Sequence, residues 1–239
     1  MLTERVRAIH PAFARARIFD GLASPDLERL SAWFRPRRFP PDASLLHEGD
    51  PATAYYLLAE GQVKILQSTA EGDEVILHLM EPGDLVGALP NLGERTCPAS
   101  AVALTEVLAF AIDPERFEVV LEQHPRVAVN LLHFAAARLQ AAHTRLRELA
   151  TERVERRVAR TLCRLAAQIG RRTPQGVELA APLSRRDLAE MSGTTLYTVS
   201  RTLKAWERQG LLRAGRERIT VLNTHGLVAL ADDLPAPAA

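Results

Sequence analysis

The sequence predicts an α+β chain in three stretches: an N-terminal β-roll of jelly-roll type, a long helix, and a C-terminal helix pair followed by a small basic hairpin. Three observations predict it. Turn signals recur about every ten residues between short β-forming segments as far as Ile112. Residues 114–150 then contain no glycine and keep a heptad of apolar residues. From Leu183 to Val221 the chain carries helix caps, a turn glycine, helical periodicity and a strand-like alternation, in that order.

The β-roll rests on Gly49-Asp50, Glu60-Gly61, Glu71-Gly72-Asp73 and Pro82-Gly83-Asp84, with Tyr55 to Leu58, Val63 to Leu66, Val75 to Leu77 and Val102 to Ile112 supplying the strands. Even spacing of this kind belongs to sandwiches and jelly rolls. Ahead of it, Pro25 to Trp33 reads as a short helix with Ser24 as its cap and proline at the first helical position. In the middle stretch Leu132, Ala135, Leu139, Ala142, Leu146 and Leu149 recur at spacings of 3, 4, 3, 4 and 3. That seam predicts a parallel homodimer, with Arg138, Arg145 and Arg147 keeping the other faces polar. A second helix is expected from about Glu152 to Ile169, ended by a left-handed cap at Gly170. The expected divisions are residues 1–113, 114–150 and 151–234, with a disordered proline-alanine tail at 235–239.

Bulk properties limit the function classes. The 239 residues are 47% apolar and 25% charged, and no apolar run approaches the roughly 18 residues of a spanning helix. The amino terminus lacks a secretory core, so a cytoplasmic protein with no membrane partner is expected. Two cysteines, Cys97 and Cys163, are too few for a disulfide framework or for an iron–sulfur cluster from this chain alone. Paired histidines and a carboxylate at metal-ligand spacing, a glycine-rich phosphate loop and a nucleophile elbow are all missing, so no metal centre and no enzyme is expected. Charge divides unevenly. Residues 1–150 carry 15 Lys and Arg against 20 Asp and Glu, and residues 151–239 carry 15 against 9. A basic C-terminal part suits a polyanion.

The segment from Leu183 to Arg208 sharpens that partner to duplex DNA. Ser184 with Asp187 three residues later is a near-match to a capping box, and Gly193 ends the helix in a tight turn. Thr194 or Thr195 caps a second helix that buries Val199, Leu203 and Trp206. Its opposite face presents Leu196, Tyr197, Ser200 and Arg201, the candidate base readers: Arg201 for a guanine edge, Ser200 for a base edge, Tyr197 or Leu196 for a thymine methyl. Ser184, Arg185, Thr195, Thr198 and Lys204 are the candidate phosphate contacts. Gly210 to Val221 follows as a basic hairpin, the wing of a winged helix-turn-helix.

This order resembles the Crp/Fnr family of bacterial transcription regulators over residues 19–225, anchored on Gly83-Asp84 with Val86-Gly87, on Phe117 to Pro125 and on Leu183 to Leu203. Tyr197 stands where the family commonly has a glutamate, and the run from Gly193 to Arg201 looks more like the branch that responds to nitrogen oxides. The resemblance implies a dimer on a palindromic operator, an activator meeting RNA polymerase, and an effector pocket at Gly87, Ala88, Arg95, Thr96, Ala142 and His143. Ala88 replaces the family's ribose-binding glutamate and Ala142 its base-binding hydroxyl, whereas Arg95-Thr96 keeps the phosphate pair. Cyclic AMP is therefore disfavoured as effector. Haem, with His47, His78, His133 or His143 as axial ligand, and a redox switch at Cys97 stay open. A cyclic-nucleotide-binding regulatory subunit without DNA accounts for the roll but not for the winged segment.

Overall fold

The computed structural model of the chain describes residues 9–87 and 96–232. It opens with α1 (Pro11–Arg15), a single 3-10 turn at Arg17–Phe19 and α2 (Ser24–Ser31). Eight strands follow: β1 (Arg35–Phe39), β2 (Ser44–Leu46), β3 (Tyr55–Glu60), β4 (Val63–Ser68), β5 (Glu74–Met80), β6 (Leu85–Val86), β7 (Ser100–Ala103) and β8 (Val107–Ile112). They form two four-stranded sheets, in the orders β1-β8-β3-β6 and β2-β7-β4-β5. β3 runs antiparallel to β8 with Tyr55 opposite Ile112, and β1 pairs with β8 alone, which lets Pro36 sit in a strand without costing a second ladder. Leu57, Leu58, Val63, Ile76 and Ala109 are wholly buried. Phe13 from α1 joins Phe34 and Phe110, with ring centroids 5.1 Å apart in each pair.

Two helices come next, α3 (Pro114–Gln123) and α4 (Pro125–Thr151). They are separate because Pro125 drives His124 out of helical geometry, to φ −127° and ψ 74°. Phe117, Val120, Val127 and Leu131 join the apolar core of the first unit. Asn130 donates from its amide to the carbonyls of Ile18, at 3.1 Å, and Asp20, at 2.9 Å.

The C-terminal elements are α5 (Val154–Ile169), β9 (Gly170–Thr173), β10 (Gly176–Leu179), α6 (Arg185–Ser192), α7 (Leu196–Arg208), β11 (Leu212–Ala214), β12 (Ile219–Val221) and α8 (Thr224–Asp232). β11-β12-β10-β9 make one antiparallel sheet. Two compact units result: one holds the described residues up to Ile65 together with Leu79–Leu139, and the other holds Leu66–His78 with the described residues from Gln140 onward.

Four local expectations need correction. Ala23, not Ser24, is the N-cap of α2, and no side chain caps it. α5 begins at Val154 with Arg153 as N-cap, not at Glu152. Arg138 and Arg145 are half-buried and bonded within the chain, so that of the three arginines only Arg147 is a solvated one. Gly170 is extended, at φ −74°, not left-handed. Its lack of a side chain is required by close approach: a Cβ there would stand 2.1 Å from the Ala166 carbonyl oxygen and 2.6 Å from Val177 Cγ1. Gly170→Ala is expected to cost about 1–3 kcal/mol, as overpacking does. Urea unfolding of the variant against the parent checks this, and an unshifted midpoint would refute it. The tail at 235–239 lies outside the described residues.

Candidate nucleic-acid interface

α6 and α7 form the helix pair, and their ends are set by short-range chemistry. Ser184 accepts from the Asp187 N–H at 3.0 Å while Asp187 Oδ2 accepts from the Ser184 N–H at 2.8 Å, a complete capping box. Gly193 adopts φ 62° and ψ 49°, and its N–H and that of Thr194 both return to the Ala189 carbonyl. Thr195, rather than Thr194, caps α7 by accepting from the Thr198 N–H at 3.2 Å. Ala189, Leu188 and Met191 are buried on α6, and Val199, Leu203 and Trp206 on α7, as their periodicity predicts. Thr202 is buried with them.

The outward face of α7 is large and partly apolar. Leu196 is 51% and Tyr197 74% exposed, Arg201 and Lys204 are exposed, and Ser200 is half-buried beside them. Arg201, Lys204, Glu207 and Arg208 line a shallow groove of about 490 Å³. Arg208 was not among the residues expected from sequence, although it continues the face one turn beyond Lys204. Thr195 is exposed, while Ser184, Arg185 and Thr198 are half-buried around the two caps. The hydroxyls of Ser184 and Thr195 serve their own helices. What these positions offer a phosphate is therefore the positive end of each helix.

Glu207 Oε1 accepts from the Ala214 N–H at 2.8 Å and ties the end of α7 to β11. Beyond it the wing is closed by the Gly215 N–H donating to the Arg218 carbonyl at 2.8 Å, and Arg213, Arg216 and Arg218 are exposed on it. Arg218 also pairs with Glu178 of β10 at 3.1 Å. β9 adds exposed Arg171 and Arg172 to the same small sheet, a pair that short glycine-bounded strands concealed from periodicity.

Along α4 the heptad seam is bare. Leu132, Leu139, Leu146 and Leu149 are 68, 58, 66 and 46% exposed, Ala142 is exposed and Ala135 is half-buried. Four solvent-facing leucines at heptad spacing make a continuous apolar stripe.

The candidate effector residues fall in different places. Gly87 closes β6 in a left-handed turn at φ 91°, and Thr96 bridges antiparallel to Pro51, both in the first unit. Ala142 and His143 are exposed on α4 in the second unit, and Ala88 and Arg95 lie outside the described residues. Arg138 is held by contacts inside the first unit. It lies 4.8 Å over the Phe134 ring, bonds Met80 Sδ at 3.1 Å and stands 3.9 Å from Asp84 Oδ2. Burial pushes the Asp84 carboxyl up from its ordinary value, opposed by the Glu81 N–H and by Arg138. His47, His133 and His143 are exposed and His78 is half-buried, and among the described residues no three His, Cys, Asp or Glu side chains converge to hold a metal ion. Cys97 is buried at 2% exposure. Among the described residues no helix is long and apolar enough to cross a membrane.

Comparison with known proteins places both modules. Residues 36–124 match the cyclic nucleotide-binding domain, and residues 156–230 match the Crp-like helix-turn-helix domain. The chain is 32% identical over 204 residues to the cyclic AMP receptor protein of Thermus thermophilus, covering 85% of this chain and 91% of that protein. It is 27% identical over 218 residues to a CRP-like cAMP-activated global transcriptional regulator of Mycobacterium tuberculosis, covering 91% and 97%. Among solved structures, the c-di-GMP-responsive global regulator CLP of Xanthomonas campestris aligns with a TM-score of 0.73 at 26% identity, over 83% of this chain and 99% of that one. The α+β fold class is thus the family's own, and the roll, the long helix and the winged pair occur in the expected order. With a nucleotide-binding-type roll, a Crp-like helix-turn-helix and a full-length relative at this identity, the chain belongs to the Crp/Fnr family of DNA-binding transcription regulators and is not an enzyme.

Proposed function

We propose that the chain acts as a homodimer that reads a palindromic operator through α7, under control of a small effector other than cyclic AMP. The observation that carries this reading is the outward face of α7. Val199, Leu203 and Trp206 anchor the helix, so that Leu196, Tyr197, Ser200 and Arg201 stand together on the solvent side. Arg201 takes a guanine edge by its two-pronged guanidinium, and Tyr197 with Leu196 packs on thymine methyls. The N-terminal ends of α6 and α7, with Arg185, Thr198 and Lys204, hold phosphates and set the register. Where the family commonly offers glutamate, Tyr197 has one neutral phenolic oxygen in place of a carboxylate's two charged acceptors for a cytosine amino group, so the preferred half-site differs from that of relatives carrying glutamate.

The seam on α4 supports the dimer, because a twofold pair of recognition helices about 34 Å apart matches successive major grooves. The reading includes RNA polymerase as a partner and the cytoplasm as the place where the protein meets its DNA. The effector reading rests on Ala88 and Ala142, which lack the carboxylate and hydroxyl that a cyclic nucleotide's ribose and base use in family members. Each missing contact costs about 1–3 kcal/mol. The effector acts by preferring one arrangement of the dimer helices over another.

The test is a titration on an operator recovered by selection from random duplexes. Arg201→Ala is expected to lose about ten- to a hundredfold on that operator, the worth of one bidentate base contact, and to keep weak salt-sensitive binding to scrambled duplex. Unchanged discrimination between the two duplexes would remove Arg201 as a reader.

A further inference from the structure

The turn between α6 and α7 is held from outside by arginines. A helix ends with carbonyls that have no partner in their own ladder, and the helix dipole makes that end negative. At the end of α6 the carbonyls of Met191, Ser192 and Gly193 are each taken by a guanidinium from an earlier helix. Arg157 of α5 donates to Ser192 at 3.0 Å and Gly193 at 2.8 Å, and its third bond, 3.0 Å, goes to the Glu152 carbonyl at the link between α4 and α5. Its partners thus lie in the DNA-binding module and at its root.

Arg145 differs, since it stands on the dimer helix α4. One of its nitrogens donates to the Met191 carbonyl and, at 3.0 Å, to that of Ile76, and another donates to Leu77. Ile76 and Leu77 lie in β5, within the part of the β4–β5 hairpin that groups with the C-terminal unit. One cation therefore joins three segments through backbone atoms, which no substitution of their side chains removes. Leu149, four residues on and hence on the same side of α4, reaches the turn too. Its Cδ2 stands 2.6 Å from where a Cβ on Gly193 would lie. The hairpin tip adds a weaker tie: Arg186 of α6 has its guanidinium held above the ordinary value first by Glu190 and then by Glu74 and Asp73.

We propose that Arg145 is the positioning residue that fixes the helix-turn-helix to the dimer helix, so that two recognition helices keep the spacing a palindrome requires. This rests on the dimer reading above. A module free to turn on its tether finds its half-site at a lower effective concentration once the partner module is bound. Loss of Arg145 therefore weakens the second contact and leaves the first intact. The three carbonyls are reached from two separate nitrogens, and lysine, whose three N–H groups sit on one nitrogen, replaces only part of that fork.

The experiment compares duplexes carrying one half-site with duplexes carrying the palindrome, using the full-length parent, Arg145→Ala and Arg145→Lys, with dimer mass and thermal unfolding measured on each. For R145A, half-site affinity within about twofold of the parent and a loss of about tenfold or more on the palindrome are expected, with R145K between parent and R145A. Equal losses on both duplexes would overturn the proposal, as would palindrome binding at parental affinity. Should R145A fail to fold, R145K carries the same comparison: a loss confined to the palindrome supports the proposal and any other pattern overturns it. A parent that does not prefer the palindrome over the half-site instead sinks the dimer reading, whatever Arg145 does.

Discussion

Replacing Leu139 and Leu146 together by aspartate is expected to convert the protein to a monomer and to lower its affinity for a palindromic operator by about 10²–10⁴-fold, the usual worth of linking two sites. The two leucines are 58% and 66% exposed on α4 and sit one heptad apart. In a parallel pair each faces its own copy across the twofold axis, so each substitution acts twice and brings two carboxylates together. Burying one leucine contributes about 1.5–3 kcal/mol, and four are lost. The fold of each chain should survive, because α4 anchors itself through other residues, Val127 and Leu131, which are 0% and 3% exposed. Sedimentation gives the mass, circular dichroism the helix content, and titration of palindromic and half-site duplexes the affinity. A dimer that persists with unchanged palindrome binding would show that the seam is not the interface.

The parts of the molecule legible in the sequence are those that short-range rules dictate. The capping box at Ser184 and Asp187, the left-handed turn at Gly193 and the buried stripe of Val199, Leu203 and Trp206 each depend on residues within a few positions of one another. So do the turns that punctuate the roll. What was not legible depends on distant partners. β1 reads as Arg-Pro-Arg-Arg-Phe, with four of its five residues exposed, and becomes a strand only because β8 offers an edge. β9 and β10 are short and glycine-bounded, and α8 is nine residues of weak amphipathicity whose Leu227 and Ala231 find burial in the folded unit. Gly170 carries the composition of a helix cap, yet its conformation is extended because β9 starts there directly. The same limit applies to the arginines of α4. A heptad marks which residues are apolar, but whether Arg145 points to water or to three carbonyls is decided by β5 and α6. The solvent face of α7 was legible because Val199, Leu203 and Trp206, at helical spacing, bury the other side. The candidate effector residues were less so, since they come from separate segments of the chain.

Glu148 illustrates the same limit with the larger consequence for stability. It lies on α4 beside the seam, where a carboxylate belongs in solvent, yet it is 2% exposed. Arg164 of α5 supports it with two hydrogen bonds from Nη1, at 2.8 Å and 2.7 Å, while itself staying 46% exposed. A buried carboxylate stripped of its partner cannot regain water, whereas a half-exposed arginine stripped of its partner can. The two halves of the pair should therefore respond unequally. Arg164→Ala is expected to destabilise the C-terminal unit by about 3 kcal/mol, the lower end for breaking a buried pair, because Arg164 is only half withdrawn from solvent. Glu148→Gln, which keeps the shape without the charge, should cost clearly less, and adding it to Arg164→Ala should recover most of the loss. Urea unfolding of the four proteins in this double-mutant cycle measures each term and their coupling. Additive losses would mean that the two side chains act independently, and a larger cost at Glu148→Gln than at Arg164→Ala would place the penalty on the arginine.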